Sequence, residues 1–135
     1  RKDPADPSRP LVGTQSKCLG VRTHGKYSDI DIDSTGIVEL NRKGLSVSST
    51  WRILAPHLIP EELDDGLIGA SGKGMEVFVL GSGPFIEGPV TVALELCLKP
   101  WTSESGNICP IVSVEISQYQ ADLAATRSNW IIDPS

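Results

Sequence analysis

PVTVALELCL, residues 89–98, decides the fold. Val90, Val92, Leu94, Leu96 and Leu98 alternate with Thr91, Ala93, Glu95 and Cys97. A period of two puts the five apolar residues on one face of an extended strand, so 89–98 reads as a strand packed on one side. Downstream, Pro100 to Gly106 reads as a loop. Ile108 to Val114 follows as a second strand, with Pro110 marking it as an edge because proline cannot donate to a ladder. Ser117-Gln118-Tyr119-Gln120 has the spacing of a capping box and opens a helix to about Asn129, with Tyr119, Leu123 and Trp130 on one face.

Upstream, Met75 to Leu80 reads as a strand and Gly81 to Pro84 as a turn. Pro60-Glu61-Glu62 suits the opening of a short helix that ends at Gly66, because proline fits the first turn and carboxylates favour the positive end of the helix dipole. Gly69 to Gly74 is a loop. Ile37–Leu40 and Leu45–Ser48 are strands joined by a turn at Asn41 to Gly44, and Cys18–Arg22 is the first strand. The first sixteen residues hold three prolines and read as a flexible arm. The expectation is one α+β domain over residues 17–135. Its short, mostly antiparallel strands form a mixed or split sheet, with a C-terminal helix and a short middle helix.

Composition narrows the function. The chain has 135 residues, 39% hydrophobic and 21% charged, which is the balance of a globular domain. Its net charge is −5 and its twelve basic residues are scattered. A surface that tracks phosphates needs clustered Lys and Arg, so nucleic acid and anionic membranes are poor partners. A protein partner fits the acidic balance better, and Glu61-Glu62-Leu63-Asp64-Asp65 is a candidate contact for a basic one. Cys18, Cys97 and Cys109 form no CxxC pair, so no zinc knuckle or thioredoxin-type site is signalled; one disulfide is compatible with them but not required. No apolar run approaches the ~20 residues of a membrane span. The chain opens on Arg1 rather than Met, which suggests a processed or excised piece. The compartment expected is the cytoplasm, or a target cell after secretion.

Several motifs fail on single positions. Asp29, Asp31 and Asp33 resemble the start of a calcium loop, but Ser34 and Leu40 stand where glycine and the bidentate glutamate are needed. Around Gly72-Lys73, Leu67 and Gly74 replace the first glycine and the hydroxyl residue of a phosphate loop. Ile86 replaces the third glycine of a dinucleotide fingerprint begun by Gly81 and Gly83. Two histidines, His24 and His57, are too few for a zinc site without carboxylates. No GxSxG supports a hydrolytic triad.

One constellation remains. Arg22 and His24 close the first strand, Ser46 and Ser48 lie on a middle strand, and Glu115 follows a late one. Cleavage of nicotinamide from NAD needs such an order: a cation for the pyrophosphate, hydroxyls beside the nicotinamide, and a carboxylate for the oxocarbenium-like charge. On this reading Arg22 and His24 bind NAD, Glu115, Ser46 and Ser48 are catalytic, and no metal takes part. Each also has a plainer role as surface charge, polar strand face or helix approach.

GLSVSSTW (44–51), PHLIPEEL (56–63) and SQYQADLAATRSNW (117–130) resemble segments of the ADP-ribosyltransferase-like toxins of type VI secretion. The resemblance implies a split antiparallel α+β fold, a cleft for NAD and a cytotoxic role between bacteria. Those toxins carry an aromatic-Arg-Gly sequence in the first strand, where this chain has Cys18-Leu19-Gly20. The competing expectation is a non-enzymatic acidic binding module, an immunity protein or adaptor that neutralises a protein partner.

Overall fold

Hydrogen bonding across long sequence separations organises this chain. The computed structural model describes every residue except 16, 17, 27, 65, 67, 82, 83, 134 and 135. Lys17, where the domain was expected to start, Asp65 of the acidic run and Ser82-Gly83 of the expected turn therefore lie outside the described residues. In chain order the strands are β1 (Lys2–Asp3), β2 (Asp6–Pro10), β3 (Leu45–Ser48), β4 (Phe78–Val79), β5 (Gly88–Val90), β6 (Ala93–Pro100) and β7 (Ser105–Pro110). The helix α1 (Ile116–Ala125) and β8 (Ile131–Ile132) complete them. The fold is α+β and rich in strands, with antiparallel sheets ordered β1-β2, β3-β7-β6-β5 and β4-β8.

The four-stranded sheet carries the core on one face. Leu96 and Ile108 pack there with Tyr119 and Leu123 of α1 and with Val21, Ile30 and Val38 from the irregular N-terminal half. Tyr119 fixes the arrangement. Its buried hydroxyl accepts the Leu45 N–H at 3.0 Å and donates to the Ile108 carbonyl, and Leu45 and Ile108 are partners in the β3–β7 register. Gly44 is required beside it, since a Cβ there would lie 2.3 Å from the Ile108 oxygen and 2.7 Å from the Tyr119 hydroxyl. The next helical residue, Gln120, pairs its side-chain amide with both backbone groups of Val21, at 3.1 and 2.8 Å, and so substitutes for a strand neighbour.

Several local expectations need correction. The run 89–98 is a hairpin, β5 and β6, turning at Thr91-Val92. Its alternating face is therefore divided: Leu96 is buried while Leu94 is 70% exposed. β7 is central, not an edge. Pro110 is tolerated because it stands at the end of β7, opposite Leu96, at a rung that needs no amide: the Ile111 N–H reaches Glu95, and antiparallel bonds alternate. The middle helix is replaced by three separate 3-10 turns, Trp51–Ile53, Pro56–Leu58 and Glu61–Leu63. Pro56 and Pro60 each remove a donor, which leaves only single turns closed by bonds such as Leu63 N–H to Pro60 O. The helix α1 starts at Ile116 with Glu115 at its cap and no side-chain cap bond, so Ser117 is inside it. The expected strands at 18–22 and 37–40 shrink to isolated bridges.

Within the proline-rich N-terminal arm the structure places two short strands. β1 and β2 form a hairpin held to the C-terminal end of the chain, because Arg127 pairs with Asp3 at 2.6 Å and Arg9 donates to the Trp130 carbonyl at 2.8 Å. Pro10 is itself a register partner, of Lys2, and the amide that closes this end of the hairpin is that of Leu11, which donates to the Arg1 carbonyl at 2.8 Å.

Removing the Tyr119 hydroxyl strands a donor and an acceptor at once. Tyr119→Phe is expected to lower stability by about 1–3 kcal/mol, measured by urea unfolding. Gly44→Ala, which pushes the same contact apart, should lose a comparable amount.

Candidate functional site

The five residues read as an NAD site occupy separate surroundings. Arg22 is bound by Asp29 on both oxygens, at 2.9 and 3.1 Å, and its own N–H also donates to Asp29 at 2.8 Å. This pairing raises the Arg22 pKa further. His24 is exposed in the loop that follows. Ser46 and Ser48 lie on β3, opposite Asn107 and Ser105. Glu115 is exposed at the helix start and bridges to Ile37. Among the described residues no hydrogen bond or ion pair joins any two of the five. Asp31 and Asp33, also noted in the sequence, serve local roles: Asp31 holds Lys43 and Asn41, and Asp33 closes the turn to Thr35 and Ile37.

The sheet's edges differ. Ser49 N–H bonds Glu104 O just beyond the β3–β7 register. Alternation then directs the amides of Leu45 and Val47 toward β7, and the N–H and C=O of Ser46 and Ser48 away from it. Among the described residues nothing bonds those outward groups. At the opposite edge, the outward amide position of β5 belongs to Pro89, which has no hydrogen to offer, and its Cys97 partner confirms the register. β5 is closed to strand pairing. β3 is open.

The face of the sheet away from α1 carries the second feature. Arg42 has φ 69°, a left-handed conformation unusual for a side-chain-bearing residue. It sits in a loop laid over the sheet, where its carbonyl accepts from Asn107 Nδ2 at 2.9 Å. Its guanidinium reaches Glu87 at 3.1 Å and the Pro100 carbonyl at 3.0 Å. Glu87 also pairs with Lys99 at 3.3 Å, and the two cations, Arg42 foremost, hold its carboxyl below the usual range. Beneath this cluster, Cys97 and Cys109 are opposite one another in the β6–β7 register.

Two concavities flank the cluster. One, about 160 Å³, is lined by residues including Glu39, Arg42, Lys99 and Cys109; the other, about 300 Å³, by Glu87, Pro89, Cys97, Lys99 and Ile111. Neither contains Arg22, His24, Ser46, Ser48 or Glu115. Small-molecule pockets usually span ~300–1,000 Å³, so these suit small groups rather than a dinucleotide. Among the described residues no three His, Cys, Asp or Glu gather as metal ligands, and no helix is long and apolar enough to cross a membrane. Sequence reasoning missed the Arg42–Glu87–Lys99 cluster and the paired thiols, because both depend on register between distant strands. The one local signal was the Asn41 to Gly44 turn.

Burial pushes the Cys109 thiol from the usual 9.0 up to about 11, with Cys97 adding to the effect, and raises the Tyr119 hydroxyl beyond the ordinary phenol range. In the unfolded chain both groups release their protons at lower pH. The contribution of Cys109 is therefore complete below pH ~9 and is lost as pH rises through about 11, whereas that of Tyr119 begins to fall only above its ordinary value of 10.0 and continues beyond that window. Unfolding midpoints in urea should fall over that window, and Cys109→Ala should flatten the fall. No protein-family model, curated protein or solved structure matches the chain.

Proposed function

We propose that the chain is a non-enzymatic binding module that takes an extended segment of a partner protein as an added strand on β3. The observation that carries this reading is the outward backbone of Ser46 and Ser48, two donors and two acceptors with no partner among the described residues. Main-chain pairing supplies affinity in strand addition, and side chains alternating along the edge supply selectivity. The net charge of −5 favours a segment bearing Lys or Arg and speeds its approach. An immunity protein or an adaptor works in this way, by occupying its partner rather than by chemistry. The NAD-cleaving reading is weaker. Arg22 is taken up by Asp29, and the serines and Glu115 border neither concavity.

The test uses short peptides that alternate Lys with Val. Saturable binding is expected to slow amide exchange at Ser46 and Ser48 by roughly tenfold, the factor that about 1.4 kcal/mol supplies. Ser46→Pro deletes an outward amide while leaving the β3–β7 bonds in place, and should abolish binding with the fold retained. Binding unchanged in Ser46→Pro would overturn the proposal. Release of nicotinamide from NAD by the purified chain, lost in Glu115→Gln, would restore the enzyme reading instead.

A further inference from the structure

We propose that Cys97 and Cys109 form a dithiol modification site, which closes to a cross-strand disulfide by exchange with a small-molecule disulfide such as oxidised glutathione. The two residues are direct partners in the β6–β7 register, and Cys97 Sγ lies 3.7 Å from the Cys109 carbonyl oxygen. Both are free thiols on the face of the sheet away from α1. The bond from Ile111 N–H to Glu95 O fixes the alternation, so Cys97 and Cys109 are a hydrogen-bonded pair. Such pairs hold their Cα atoms about 5.5 Å apart, inside the ~4.4–6.8 Å range that a disulfide spans.

The same geometry makes the bond reversible. Opposed Cβ atoms lie about 4.5–5.5 Å apart, against ~3.8 Å in a relaxed disulfide. The strands must draw together to close it, and a disulfide under strain is readily reduced. Both cysteines are buried, at 8% and 4% exposure, and a small disulfide approaches them through the concavities they border, Cys97 one and Cys109 the other. The third thiol is elsewhere. Cys18 packs beside Gly13, where a Cβ would lie 3.2 Å from its sulfur.

The exchange balances as follows. The Cys97 thiol gives up its proton and its sulfur attacks one sulfur of the small disulfide, whose S–S bond breaks and releases one thiolate. The Cys109 sulfur, deprotonated in turn, attacks Cys97 Sγ and expels the second thiolate. Two electrons pass from the protein to the small disulfide, and the two released thiolates take up the two protons. Excess small thiol reverses both steps.

The test incubates the native protein with oxidised glutathione, alkylates the remaining thiols and maps peptides by mass spectrometry. Alkylatable cysteines should fall from three to one, Cys18, with a peptide pair joining Cys97 to Cys109 and a mass lower by two hydrogens. Added thiol should restore all three. Cys18→Ser must give the same cross-link, and Cys97→Ala must give none. Three alkylatable thiols after oxidation, a stable glutathione adduct on Cys97 without closure, or a cross-link through Cys18 would each overturn the proposal.

Discussion

The Tyr119 hydroxyl joins the helix to the sheet, and the remaining structure is arranged around that contact. One oxygen satisfies the Leu45 amide and the Ile108 carbonyl at the end of the β3–β7 ladder. It can do so only because the ring is fully buried and Gly44 leaves room for it. A buried hydroxyl with both bonding roles filled costs little, whereas the same group displaced would be expensive to bury. This constraint sets the position of β3, and hence which of its backbone groups face outward. The proposed binding edge is thus a by-product of how the core is closed.

The sequence made the class of fold legible but not its registers. Period-two alternation marks the strand region around 89–98, and the capping-box spacing at Ser117 with Tyr119 and Leu123 on one face marks the helix. Alternation does not register a tight turn made of ordinary residues, so Thr91-Val92 was read as strand. The contacts of the proline-rich arm are hidden from sequence for a related reason. Its order comes from Arg127 and Trp130, far along the chain, and no local propensity reports them. In the same way Pro110 suggested an edge, although only the bonding side of a rung decides whether proline is tolerated.

The candidate site was less legible than the fold. Arg22, Ser46, Ser48 and Glu115 were grouped by residue type and order alone, and order does not bring side chains together. Asp29, seven residues from Arg22, occupies that cation. The features that emerged instead are properties of pairing. An unmatched edge requires knowledge of which strand is outermost, and opposed thiols require knowledge that Cys97 faces Cys109. Neither is a motif, and neither is written in any short window of sequence.

The fastening of early to late residues has a kinetic consequence. Leu45 waits for a hydroxyl 74 residues away, Val21 for an amide 99 residues away, and Asp3 for a guanidinium 124 residues away. A ribosome releasing this chain exposes most of it before any of those bonds can form, and loops of that span close slowly. Folding therefore occurs late and as a unit. A nascent chain that stalls ahead of the helix holds all four strands of the main sheet but presents their uncovered apolar face to chaperones.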